Sequence, residues 1–438
     1  MKCSLRIRSS CTAASELTST AFAFQSIRRP SVKQSDRYRL LLPALTALLL
    51  TACTAQQDVD VLELDYPQIE QQARGTEVRF AMWGGDARIN QWVDSYVAPE
   101  LRQRYDIRLV RVPTDAAQVV NRLLSERQAG RERGSIDLIW INGENFRRAR
   151  LQNLLFGPFT HLIPNLALTD PDEVGYDWGF PVDGYELPWG RGQFVLEYDS
   201  AVTDRPPDSI EALDRWIRAN PGRFTYPQPP DFTGAAFIRH LFYHFSNGYQ
   251  QYLDGFDQRL YERNSAALWD YLREIEPYLW REGRTYPADK AQLDVLFENR
   301  EVAFNMSYTQ SGAQGLIDAG RYPSSVRTFV LREGTLTGIH FTAIPFNAPN
   351  KAAAMVTANF LLSPDAQYSK FIPQNWGDFT VLDLDRLDDS DRRRFLELDL
   401  GPATLPVDVL AQHSVPEIPA EYVDALVEGW QREILRRE

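Results

Sequence analysis

The stretch "DIRLVRVPTDAAQVVNRLLSERQAGRERGSIDLIWI", residues 106–141, decides the fold class. A short β-like run, DIRLVRV, leads into DAAQVVNRLLSERQAG, whose apolar residues recur at helical spacing until Gly130 closes the pattern. SIDLIWI then follows as a continuous apolar strand. Working outward, EVRFAMW (77–83) is an earlier strand that ends at Gly84-Gly85. The next stretch, residues 86–105, places Ile89, Trp92, Val93, Tyr96 and Val97 at helical spacing. NGENFRRARLQNLL (142–155) reads as a loop and helix. Nearly all-apolar strands alternating with helices specify a parallel sheet covered on both faces.

The same alternation resumes after the Pro- and Gly-rich GFPVDGYELPWGRG (179–192). QFVLEY is a strand, and residues 209–231 read as a helix, a Pro-Gly stop and a further strand. FTGAAFIRHLFYHF opens a helix at Thr233 or Gly234, two amphipathic helices follow, and EVAFNMSY is a strand leading into TQSGAQGLIDAG. Trp92, Trp216, Trp269 and Trp280 stand at helical spacing, as core residues do.

Upstream lies an uncharged run, Leu40–Leu50. A helix of that length rises roughly 16 Å, too short for a bilayer core of about 30 Å. Lys33, Arg37 and Arg39 precede it, as in an export signal. The tetrad Leu50-Thr51-Ala52-Cys53 resembles a bacterial lipobox, which implies lipidation at Cys53 and a membrane-anchored protein in the periplasm or cell envelope. A start near Val32 gives the signal ordinary proportions, so residues 1–31 are either upstream of the true start or a real extension. Residues 53–75 are polar and read as a lipid-anchored tether.

The chain carries 47 basic and 59 acidic residues. Setting aside the eight basic and two acidic residues of 1–52 leaves 39 and 57, a net charge of −18. Such a surface repels phosphate backbones, so no nucleic-acid partner is expected. Cys53 is the only cysteine past residue 52, which excludes an internal disulfide and any Cys-based site. The remaining 386 residues are too many for one ordinary domain.

Six segments then suggest a family. HFTAIPFNAPNKAAAMVTANFLLSPDAQ (340–367), SIDLIWINGENF and ELPWGRGQFVLEYDS resemble the extracellular solute-binding proteins of ABC importers. PGRFTYPQPPDFTGAAF and NWGDFTVLD, with LLFGPF, are similar to their YnjB-type branch. The resemblance covers roughly residues 77–385. It implies a type II periplasmic-binding-protein-like α/β fold, two hinged lobes that each hold a mostly parallel sheet flanked by helices. By that analogy, lobe 1 spans 76–188 and 338–375, and lobe 2 spans 189–337 and 376–438. The implied partners are a small solute, an ABC permease and its ATPase. The acidic, Arg-rich segment 383–406 departs from the family pattern.

Ligands of open α/β sheets sit at the carboxyl ends of the strands. In lobe 1 that rule selects Trp83, Gly85, Asp86, Asn142, Glu144 and Asn145; the crossing adds Trp189 and Arg191. Lobe 2 contributes Phe232, Thr233 and Gly234 at a helix start, Asn305 and Tyr308 after a strand, and Trp376 with Asp378 near the second junction. Trp83, Trp189 and Trp376 all stand beside glycines in loops. Aromatic faces with Asp86, Glu144 and Asp378 suit a cationic ligand, whereas Arg191 and the helix starts at Asp86 and Thr233 suit an anion. Asp86 also reads as a helix cap. The set leans toward a small cationic or zwitterionic organic solute.

No catalytic group, metal or cofactor is expected, and the protein is expected to be a monomer. His240 and His244 share a helix face, yet the Glu of a zinc-protease motif is absent and no third ligand is evident. No GxSxG, Walker loop or GxGxxG stands at a strand-to-helix turn. An exported hydrolase is the alternative reading, and a purely structural lipoprotein the third.

Overall fold

The computed structural model describes residues 60–435. The export signal, the lipobox and Cys53 lie outside the described residues.

Eleven strands are present among the described residues: β1 (Glu77–Met82), β2 (Arg108–Pro113), β3 (Leu138–Ile141), β4 (Tyr176–Asp177), β5 (Phe180–Pro181), β6 (Glu186–Gln193), β7 (Val195–Asp199), β8 (Phe304–Ser307), β9 (Val326–Phe329), β10 (Thr335–Ala343) and β11 (Ser414–Pro416). β1 lies between β2 and β3, parallel to both. β10 runs antiparallel to β3 and β6, and its first residues pair in parallel with β11. This six-stranded sheet is the mostly parallel one that the alternating pattern specified. β3, LIWI, reads apolar throughout as a strand covered on both faces does, whereas β2 and β10 carry exposed or half-buried positions. One cover, Lys351–Leu361, is buried almost all round, as its sequence KAAAMVTANFL requires.

The second sheet, β8-β7-β9, is antiparallel, which corrects the expectation of a mostly parallel sheet in each lobe. Its strands are only four or five residues long, and β7 follows β6 after one residue, so the sheet grows by antiparallel neighbours on either side of β7. Residues 223–227 form no strand, although Phe224 and Tyr226 are buried.

Two large apolar cores result. The first surrounds β1, β3 and β6 and includes Trp92, Trp189 and Met355. The second surrounds β7 and β8 and includes Phe237, Leu268, Trp269 and Trp430. Trp216 and Trp280 pack against the second core as well.

Two expected boundaries shift. Val61, Ile69 and Ala73 pack in the first core, so residues 60–75 are not a free tether. The helix Tyr66–Ala73 starts with a capping box in which Asp65 accepts from the Gln68 amide and Gln68 answers back, with Pro67 in its first turn. Trp376, Phe379, Val381 and Phe395 also join the first core, although the sequence placed 376 onward with lobe 2. Residues from Ile418 onward, including Tyr422 and Trp430, belong to the second core.

Candidate functional site

β3 ends at Ile141, and Gly143 turns the chain into the helix Glu144–Leu151. Gly143 has φ +61°, and a Cβ there would lie 2.5 Å from the Trp178 ring. Trp178 and Gly179 form the turn between β4 and β5, both with positive φ. A two-residue hairpin needs that twist, but a bulky residue seldom supplies it. Trp178 is held there by Ala420 and Val423 of the helix Ala420–Trp430, which belongs to the second core. Its ring stacks toward Phe232 at 5.9 Å, and Phe232 meets Tyr308 at 4.7 Å. The Arg239 guanidinium lies over the Trp178 ring at 4.9 Å, a cation–π contact.

Charge gathers around these rings. Arg239 is fully buried, and its Nη2 donates to Glu417 Oε1 at 3.0 Å. The Tyr308 hydroxyl donates to the same oxygen at 3.1 Å. Asp177 accepts from the Gly143 amide through Oδ2, while its Oδ1 is buried without a hydrogen-bond partner. Asn145 donates to Glu144 Oε1 at 2.7 Å. Burial pushes the Glu144 carboxyl up to about 7, with a smaller push from Asp424 and relief from Arg239. Burial also lifts Asp177 far above the usual carboxylate range, and Glu144 and Glu417 add to that. Three buried carboxylates thus gather beside three aromatic rings, and of them Glu417 bonds the Arg239 guanidinium.

The cluster lies between the two cores, at the carboxyl end of β3. Two contacts cross nearby: Arg147 pairs with Glu421 at 2.7 Å, and Arg88 Nη1 donates to Gly312 O at 3.1 Å.

Of the residues expected from sequence, Glu144, Asn145, Phe232 and Tyr308 meet here, with Asn142 one step behind Gly143. Others are committed elsewhere. Asp86 caps the helix Ala87–Trp92, accepting from the amides of Arg88 and Ile89, and pairs with Arg88. Trp83 folds across Gly85, where a Cβ would strike its indole at 2.3 Å. Trp189 and Trp376 are core residues 5.2 Å apart, packed with Trp92, Trp140 and His340. Their neighbouring glycines mark close packing rather than open loops. Asp378 is buried against Lys370 and His340. Arg191 pairs with Glu173. Asn305 is fully buried and donates to Glu197, Asp294 and the Tyr322 hydroxyl.

The helix Phe232–Phe245 begins one residue before the expected start, and Asp231 accepts from the amides of Thr233 and Gly234. Those donors are thus already satisfied. Gly234 is there for space: a Cβ would sit 1.9 Å from Pro227 O. Gly234→Ala is expected to destabilise the chain by about 1–3 kcal/mol through overpacking. Urea unfolding of the variant checks this, and an unchanged midpoint would remove the steric reading.

Asp177, Trp178, Arg239 and Glu417 were missed. Trp178-Gly179 obeys the same Trp-Gly rule that selected Trp83, Trp189 and Trp376. Arg239 is the one Arg or Lys within the apolar helix FTGAAFIRHLFYHF, and such a charge needs a buried partner. Glu417 had no local signal, because its partner lies 178 residues away.

Comparison with known proteins extends this picture. Residues 96–380 match the family described as bacterial extracellular solute-binding protein. Protein YnjB of Escherichia coli (strain K12) is 39% identical over 370 residues, which is 84% of this chain and 93% of that protein. Among solved structures, the periplasmic thiamin binding protein has a TM-score of 0.58 at 16% identity, over 82% of this chain and 96% of its own. AfuA from Actinobacillus pleuropneumoniae, with fructose-6-phosphate bound, has 0.59 at 12%, over 83% and 99%. The spermidine/putrescine substrate-binding protein PotD from Streptococcus pneumoniae has 0.57 at 13%, over 82% and 99%. These likenesses establish the type II periplasmic-binding-protein fold, and their different titles show that this fold alone does not choose a ligand. By the family match and the likeness to YnjB, the chain belongs to the bacterial extracellular solute-binding proteins of ABC importers, which carry a small solute to a permease rather than transform it.

Proposed function

We propose that this protein captures a small cationic or zwitterionic organic solute between two lobes built on its two cores. Lobe 1 comprises the six-stranded sheet with its helices, and lobe 2 the three-stranded sheet with its own. The observation that carries the reading is the buried charge imbalance: Glu144, Asp177 and Glu417 lie near enough to raise one another, and of the three only Glu417 bonds a cation, Arg239, beside Trp178, Phe232 and Tyr308. Buried carboxylates without cations are costly, and here burial pushes all three toward the neutral form, Glu417 against the relief given by Arg239. An ammonium entering among them restores their charge and gains the aromatic faces. Closure follows only if the solute binds the closed form more tightly than the open one. The Arg147–Glu421 and Arg88–Gly312 contacts are candidates to form at that step.

The lipobox-like tetrad ending at Cys53 supports a lipid-anchored protein working in the periplasm. Among the described residues no helix is long and apolar enough to cross a membrane.

Native mass spectrometry of the purified chain, never exposed to denaturant, tests the solute reading. The expected result is an extra mass, released on unfolding, that carries an amine or quaternary nitrogen. A bare protein passes to a thermal-shift screen of amines, sugars and phosphates. Stabilisation by a sugar or phosphate with none by amines would overturn the cationic assignment.

A further inference from the structure

We propose that Glu211, His244 and Glu333 form a divalent transition-metal site in the second half of the fold, apart from the candidate solute site. The helix Phe232–Phe245 carries two histidines one turn apart, and the structure separates their roles. His240 is spent: its Nδ1 is 2.8 Å from Ala236 O, and its Nε2 accepts from the Leu336 amide at 2.9 Å. His244 is partly exposed, with Nε2 3.9 Å from Glu211 Oε1 and Nδ1 4.0 Å from Glu333 Oε1. One ligand atom from each of the three residues lies within 4.8 Å of the other two. A point between them is then no more than about 2.8 Å from each, and zinc bonds of about 2.0–2.2 Å need only a small inward turn of the side chains.

Three observations separate this group from ordinary surface acids. The ligands come from three chain segments: the first turn of the helix Ile210–Ala219, the last turn of Phe232–Phe245, and the turn before β10. Glu333 Oε1 is already oriented by the Ile210 amide at 3.1 Å, the kind of supporting bond that positions a metal ligand. Among the described residues, neither glutamate has a lysine or arginine within ion-pair distance, and His244 is the one cationic side chain beside them. The carbonyl end of a fourteen-residue helix adds to the negative field.

A cavity of about 240 Å³ opens on His244 and Glu333, bordered by Tyr243, Asn247 and Leu331, with room for water to complete the coordination. One imidazole and two carboxylates suit zinc or manganese; a thiolate-seeking ion would find no sulfur here. Bound there, the ion would tie the turn that begins β10 to two helices. β10 continues into the six-stranded sheet, so the tie would stiffen a crossing between the cores.

Calorimetry with zinc chloride on the chelator-stripped full chain tests the assignment. The expected result is one site per chain, with affinity at least tenfold weaker in H244A and in E333Q. E211Q, altered at an exposed carboxylate, should weaken binding without affecting folding, and H161A, an exposed histidine elsewhere, should bind as the parent does. Anomalous scattering at the zinc edge should place a single peak within bonding distance of all three side chains. No zinc binding by the parent, or undiminished binding in both H244A and E211Q, would overturn the proposal.

Discussion

Asp378→Ala is expected to lower folding stability by about 3–5 kcal/mol, because it strands a buried ammonium. Lys370 is 0% exposed, and its Nζ stands 2.6 Å from Asp378 Oδ2 and 2.6 Å from Trp189 O. The surroundings are otherwise aromatic, with Trp189 and Trp376 at 5.9 and 5.4 Å from the same nitrogen. Asp378 also meets His340 Nε2 at 2.9 Å. With the carboxylate gone, no other anion reaches Lys370 among the described residues. Urea unfolding measures the loss, and a change under 1 kcal/mol would show that water or rearrangement rescues the lysine. Lys370→Met combined with Asp378→Leu should recover much of the loss, since replacing both charges removes the stranded one.

The pH dependence has a definite sign. Burial alone would raise the Asp378 carboxyl, but the charges of His340 and Lys370 outweigh it and hold the carboxyl below the usual range. A depressed carboxylate contributes its stability above its unfolded pKa of about 3.9, and that contribution is lost as pH falls further. The acid limb of the alanine variant should therefore be flatter than the parent's below about pH 4.

Glu144→Gln is expected to weaken capture of a cationic solute by tenfold or more at pH 8 and to reduce its pH dependence, the remainder coming from Asp177, which burial also lifts. In the ligand-free protein the Glu144 carboxyl titrates near 7, chiefly because it is buried. A cation favours the ionised form, so binding releases a proton. Affinity of the parent should then fall about tenfold per pH unit below 7 and level off above it. Calorimetry in two buffers of different ionisation enthalpy counts the released proton directly. A glutamine variant that kept both the affinity and the slope would move the charge recognition to Asp177 or Glu417.

Local periodicity carried most of the architecture. β1, β2, β3, the helices between them and the helix Phe232–Phe245 follow from spacing that any window of a dozen residues contains, whereas β6, inside a Pro- and Gly-rich stretch, and the short β11 do not. The ligand set was only partly legible, and for a physical reason. Glycine beside tryptophan marks either an open aromatic face or a ring packed tightly on backbone, and sequence does not tell the two apart. Trp189 and Trp376 proved to be packed rings; Trp178, passed over, faces Phe232 and Arg239. Likewise Asp86 and Asp231 both precede helices and serve as caps, so their charge is turned toward their own amides. The Asp65 capping box was readable too, and it marks where the supposed tether becomes a packed helix.

By itself the sequence determined an α/β chain with an acidic composition and the segments of a solute-binding family, because periodicity, composition and short motifs are local properties. Only the tertiary structure decided which charges meet. The Arg239–Glu417 contact spans 178 residues, and Gly143–Asp177 joins two separate loops. Buried charges interact over a few ångströms through a medium of low dielectric, so their roles depend on which distant segments the fold brings together.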